Sequence, residues 1–176
     1  GAPETIMQLC RMNEQQASDI RAAMEDMATR GMRVLAVARA DNITAPFPDN
    51  PTDLSFQFSG LVGLADPLRE TVPDAVKEAQ NAGIKVIMIT GDYPATAKSI
   101  AAQAGITAEK VMTGTDLDKI TDEELQSILK GDCIFARIMP QQKLRIVNAL
   151  KANGEIVAMT GDGVNDAPSL KAAHIG

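Results

Sequence analysis

A chain of 176 residues that is 45% hydrophobic can bury a core, as one domain or as a domain with part of another. Its formal net charge of -6 argues against a nucleic-acid surface, and zero Trp with one Tyr argues against base stacking as a main binding mode. No apolar stretch approaches the ~20 residues that cross a bilayer, and no basic-apolar leader opens the chain, so the polypeptide as given reads as soluble. Cys10 and Cys133 lie far apart without metal-type spacing and read as reduced, mostly buried thiols of a cytoplasmic protein. The start at Gly1 and the end at Ile175-Gly176 suggest a piece of a longer protein.

Residues 3–30 read as helical, with Pro3 in a first turn, apolar stripes broken near Asn13, and Gly31 as a stop. Residues 33–38 read as a strand. The stretch 41–53, with Pro46, Pro48 and Pro51, reads as a surface loop, and 56–64 as a second strand. Asp66-Pro67-Leu68-Arg69 then breaks the pattern, because proline excludes its predecessor from helical geometry, and the break predicts a hinge between two domains. Beyond it helices and strands alternate. Helix is expected at 72–82, strand at 84–89, helix at 95–104, and a short strand at 111–112. A helix opened by the capping box Thr121-Asp122-Glu123-Glu124 follows, then strand 133–136, helix 141–152, strand 155–159 and a last helix at 167–173. Such alternation predicts right-handed crossovers and a parallel, doubly wound α/β sheet.

The loop Thr160-Gly161-Asp162-Gly163-Val164-Asn165-Asp166-Ala167-Pro168 directly follows the last predicted strand. A strand ending this way delivers carboxylates to the carboxyl edge of a parallel sheet, where α/β proteins bind ligands. Asp162 and Asp166 are hard oxygen ligands suited to Mg²⁺, which takes a few carboxylates together with phosphate oxygens. Thr90-Gly91-Asp92 follows the strand at 84–89, and Lys143 opens the helix after the strand at 133–136. A hydroxyl and an amide can donate to phosphoryl oxygens, and an ammonium can offset charge on a transferring group. Taken singly, the Gly/Asp/Asn cluster also fits a turn, Thr90-Gly91-Asp92 a helix cap, and Lys143 a solvated helix face. The conjunction, in order and each behind a strand, favours magnesium-assisted phosphoryl chemistry. His174 reads as a residue near a helix end, outside this set.

Thr90-Gly91-Asp92, Phe135-Ala136-Arg137-Ile138-Met139-Pro140 with Lys143, and Met159 through Pro168 closely resemble the phosphorylation domain of P-type cation-transporting ATPases, members of the haloacid-dehalogenase-like superfamily. The hinge Asp66-Pro67-Leu68-Arg69 and the opening Gly1-Ala2-Pro3-Glu4 match in the same order, and the pattern looks most like the calcium-pump-like, type II branch. The resemblance implies residues 1–65 as the end of an α+β nucleotide-binding domain and 66–176 as a phosphorylation domain. It implies that Thr90, Gly91 and Asp92 grip the phosphoryl group or the ATP γ-phosphate, and that Lys143 neutralises phosphoryl oxygens. It further implies that Asp162 holds Mg²⁺, Asp166 supports the metal site, Asn165 contacts phosphate, and Arg137 and Arg33 contact ATP. Asp66 and Arg69 would lie at the interdomain hinge. The implied partners are ATP, a cation moved by a membrane domain, and other domains of the same parent chain, with this region cytoplasmic.

The family nucleophile, an aspartate in an Asp-Lys-Thr-Gly-Thr motif, has no counterpart here. Val111-Met112 stands where Asp-Lys would precede Thr113-Gly114-Thr115-Asp116, and that segment reads as a loop at a strand end. The isolated chain is therefore expected to be inactive, because covalent catalysis needs its nucleophile. A soluble phosphatase of the same superfamily and a non-catalytic nucleotide-binding module are the competing readings.

Overall fold

The computed structural model describes residues 1–41, 48–161 and 163–176. Part of the expected proline loop, 42–47, and the candidate ligand Asp162 lie outside those residues. The chain forms two compact units, Gly1–Pro67 and Leu68–Gly176.

In the first unit, α1 (Pro3–Leu9) starts on Pro3, whose fixed φ suits a first helical turn and whose missing N–H costs nothing there. In α2 (Glu14–Thr29) the Asn13 side chain accepts from the Gln16 amide while the Gln16 side chain accepts from the Asn13 amide, satisfying two donors the helix itself leaves unpaired. Gly31, at φ 77°, ends the run as expected, since residues with a Cβ avoid that region. β1 (Arg33–Ala40) and β2 (Phe56–Leu64) then pair antiparallel, with Arg33 opposite Leu64. Their apolar side meets the helices through Met7, Ala17 and Met24, with Ile20, Val34 and Leu61 packed alongside.

The second unit contains α3 (Val72–Asn81), β3 (Met88–Ile89), α4 (Pro94–Gln103), β4 (Lys110–Thr113), α5 (Gly114–Leu117), α6 (Asp122–Ile128), β5 (Cys133–Ala136), α7 (Pro140–Ala152) and α8 (Ala167–Ala172). β3, β5 and β4 form a parallel sheet in that spatial order, so β5 is central, and all four of its residues are buried. Strand side chains alternate between faces. Cys133 and Phe135 enter a core with Leu117 of α5, Leu125 of α6, Leu129 at the end of α6 and Ile146 of α7. Ile134 and Ala136 enter a second core with Ala97, Ala101 and Ala104, flanked by Val72 and Val76 of α3. Helices thus cover both faces of a parallel sheet, which is the doubly wound α/β arrangement predicted from the alternation.

Three local expectations need correction. The strand expected at 84–89 is confined to Met88–Ile89, because its partner β5 begins only at Cys133, opposite the residue before Met88. Residues 84–87 carry no ladder, and the Lys85 ammonium instead donates to the Leu129 and Gly131 carbonyls at the end of α6. The strand expected at 155–159 reduces to a single parallel bridge between Ala158 and Ile175. His174 takes part there, its Nδ1 accepting from the Val157 amide at 3.1 Å while its own amide donates to the Val157 carbonyl at 2.9 Å. Thr113-Gly114-Thr115-Asp116 is not an open loop: Thr113 caps the one-turn helix α5, its hydroxyl 2.6 Å from the Asp116 carboxylate. That hydroxyl and the Thr113 amide hold the Asp116 carboxyl below its ordinary range.

Candidate functional site

Because β3 and β5 are parallel neighbours, the loops that follow them leave the sheet on one edge. The pairing continues past the strands. The Thr90 amide donates to the Phe135 carbonyl at 2.9 Å, the Ile138 amide to the Thr90 carbonyl at 3.0 Å, and the Arg137 amide to the Asp92 carbonyl at 3.0 Å. Thr90-Gly91-Asp92 and Arg137 are therefore held together by main-chain bonds. Within the first loop the Asp92 amide donates to the Thr90 hydroxyl at 3.1 Å, and that hydroxyl lies 3.2 Å from an Asp92 carboxylate oxygen. Thr90 and Asp92 are half-buried and Gly91 is exposed, so the turn satisfies part of its own polarity and keeps one face open.

Lys143 and Asp166 meet from elements 23 residues apart. The Lys143 ammonium donates to Asp166 Oδ1 at 2.6 Å, with the two side chains only 17% and 10% exposed. Lys143 is in the first turn of α7, which Pro140 opens and Gln142 braces. The Gln142 side chain accepts from the Met139 amide and donates to the Gly114 carbonyl and to Asp118, tying the start of α7 to α5. Asp166 closes the 3₁₀ turn Val164–Asp166, and its carbonyl accepts from the fully buried Ser169 hydroxyl. An ideal Cβ on Gly161 would sit 2.8 Å from Asp166 Oδ2, and one on Gly163 would sit 3.2 Å from it. The two glycines thus form a cradle that any larger side chain would fill.

This donor set fits a hard cation. Asp166 gives one oxygen to Lys143 and turns the other toward Gly161 and Gly163, and Mg²⁺ commonly takes just one or two protein carboxylates beside phosphate and water oxygens. Among the described residues no group of three His, Cys, Asp or Glu is gathered, so a multi-carboxylate cage is not formed by them. Asn165 is exposed in the same turn as Asp166. Arg33 opens β1 in the first unit, exposed, and is not among the residues that the second unit gathers. Reading the sequence missed three contributors. Gln142 carries the Gln-at-third-position signal of a helix start. The glycine cradle has no signal beyond glycine itself. Tyr93, whose ring lies under the Arg137 guanidinium at 6.0 Å, is marked only by being the sole tyrosine.

No described helix is long and apolar enough to cross a membrane. A family model for haloacid dehalogenase-like hydrolases matches residues 9–174. Calcium-transporting ATPase 1 of Bacillus cereus is 42% identical over 94% of this chain and 19% of its own length. Calcium-transporting ATPase 1 of Saccharomyces cerevisiae is 41% identical over 94% of this chain and 18% of its own length. The sodium/potassium-transporting ATPase subunit alpha-4 of Rattus norvegicus is 37% identical over all of this chain and 22% of its own length. The chain spans about a fifth of the length of the curated relatives it matches. It belongs to the haloacid dehalogenase-like hydrolases and is homologous to one segment of the P-type cation-transporting ATPases.

Proposed function

We propose that this chain is a cytoplasmic segment of an ATP-driven cation pump anchored in a membrane, in which it binds the phosphoryl group of ATP together with Mg²⁺. The observation that carries the reading is the Lys143–Asp166 pair, 2.6 Å long and little exposed, beside a cradle of two glycines. Lysine is rarely so buried without a partner. An ammonium has three donors, so the bond to Asp166 leaves capacity for phosphoryl oxygens.

Residues 1–65 are assigned to the end of the nucleotide-binding domain and 66–176 to the phosphorylation domain, with Asp66 and Arg69 at the hinge between them. Thr90 and Gly91 donate to the transferring group, Asp92 orders that turn, and Asn165 contacts phosphate. Arg137 and Arg33 contact ATP. Lys143 offsets the negative charge that builds on the phosphoryl oxygens, an effect that is strongest where water is excluded. Asp162 and Asp166 would hold Mg²⁺, which supplies charge neutralisation and orientation of the phosphate when bound. The acceptor would be an aspartate of the parent protein outside these residues, forming and then losing an acyl phosphate. The relatives' names support cation transport as the coupled work.

The test is phosphoenzyme formed by the full-length protein from ATP labelled at the γ-phosphate. Lys143→Ala is expected to lower its rate of formation by on the order of 10²-fold, the scale of losing one preorganised electrostatic donor. Unchanged phosphoenzyme and turnover would remove Lys143 from this role. In the same assay the 176-residue chain alone is expected to hydrolyse no ATP, and robust Mg²⁺-dependent turnover by it would contradict the assignment of the nucleophile elsewhere.

A further inference from the structure

Met139, the N-cap of α7, has no side-chain oxygen to accept from the amides of the first turn, and Pro140 takes the first helical position. A helix start of that kind frays unless something beyond it holds it. Gln142 supplies the hold. Its Oε1 accepts from the Met139 amide at 2.9 Å, while its Nε2 donates to the Gly114 carbonyl at 3.0 Å and to Asp118 Oδ1 at 2.8 Å. One side chain thus ties the first turn of α7 to the start of α5 and to Asp118, the residue that caps its end. Arg145, three residues on and so on the same side of α7, extends the grip to the Leu117 and Ile120 carbonyls and the Asp122 carboxylate.

The place suits an amide and not its acid. A glutamine offers an acceptor at one atom and two donors at the other, which matches one N–H on one side and two oxygens on the other. A glutamate of the same shape would turn an oxygen towards the Gly114 carbonyl and the Asp118 carboxylate. The approach is close: Gly114 is buried, and an ideal Cβ on it would sit 2.5 Å from Gln142 Oε1 and 2.7 Å from the Arg137 carbonyl. Lys143 is the next residue, and its amide donates to the Met139 carbonyl at 3.1 Å, so its backbone belongs to the turn that Gln142 holds. Its ammonium ends 2.6 Å from Asp166, and its side chain is only 17% exposed. Movement of the first turn therefore moves the ammonium.

We propose that Gln142 is a positioning residue for Lys143: its amide locks the start of α7 onto α5, so that the ammonium meets the phosphoryl group in one place. The assignment rests on the reading of Lys143 as the group that offsets phosphoryl charge. That charge builds as the group transfers, so misplacing the ammonium slows transfer and leaves ATP binding nearly as it was.

The experiment is phosphoenzyme formation by the full-length protein, followed as a rate against ATP concentration. Gln142→Ala is expected to lower the maximal rate about tenfold, the scale of a sub-ångström misplacement. The ATP concentration for half-maximal rate stays within about twofold, since uniform binding is untouched. On a Lys143→Ala background the same change adds little, because the two residues act as one unit. Gln142→Glu keeps the shape and loses as much. Adding Asp118→Asn to it returns a donor, leaves the local charge unchanged and restores part of the rate. An unaltered maximal rate in Gln142→Ala, a native rate in Gln142→Glu, no recovery with Asp118→Asn, or the whole fall repeated on the Lys143→Ala background would each overturn the positioning role. If Lys143→Ala slows the reaction and Gln142→Ala does not, only the positioning role fails. If Lys143→Ala leaves phosphoenzyme formation untouched, the reading of Lys143 fails and the role of Gln142 with it.

Discussion

Asp166 is a short side chain with little room. One oxygen is fixed by Lys143, and the other faces Gly161 so closely that an added Cβ would come within 2.8 Å of it. Gly161→Ala therefore has to displace a buried carboxylate or the loop that carries it. The expected cost is about 1–3 kcal/mol of stability, the range for overpacking a tight site, measured by urea unfolding against the unsubstituted protein. An unchanged unfolding midpoint would mean that the cradle yields and does not constrain Asp166. At this scale the sequence exposed residue types but not pairings. Lys143 and Asp166 could both be picked out by their places behind strands, yet nothing in a run of letters joins two residues 23 positions apart into an ion pair.

Among the elements, β5 organises the second unit. Its four residues are buried, and they divide alternately between the two cores. Burial pushes the Cys133 thiol from its ordinary 9.0 up to about 11, with Lys110 partly opposing the rise. The sign of the consequence is fixed by linkage. The unfolded thiol ionises near pH 9 while the folded one stays protonated, so stability is intact below pH 9 and is lost as pH climbs towards 11. The loss amounts to about 2–3 kcal/mol for a rise of this size. Unfolding free energy measured across this range should fall more steeply in the native protein than in Cys133→Ala, and parallel curves would contradict the buried, protonated thiol. The apolar run Cys-Ile-Phe-Ala made β5 readable. The runs at 84–89 and 155–159 looked just as strand-like, but a strand lasts only as long as its partner. β3 begins only where β5 begins, and the later segment has a single bridge, to Ile175. Capping chemistry was readable at Thr121, where a Glu stands three residues on, and was overlooked at Thr113, where Asp116 fills the same place.

For the whole molecule, two compact units, a parallel sheet covered on both faces and a family match over residues 9–174 all agree with the α/β architecture drawn from the alternation of elements. The proposed function asks more of the second unit than its fold. A hydroxyl at Thr90, an ammonium at Lys143 and a Mg²⁺ held by Asp162 must surround one anion. Three main-chain bonds already join the loop of Thr90 to that of Arg137, six residues before Lys143, which gives the arrangement a covalently short path. The most direct measurement is a structure of the full-length protein with Mg²⁺ and a phosphate mimic such as vanadate. The expected result is an anion within about 2.6–3.2 Å of both Thr90 Oγ1 and Lys143 Nζ, with the cation on the Asp162–Asp166 side. An anion bound elsewhere, with Thr90 and Lys143 turned to separate surfaces, would contradict it.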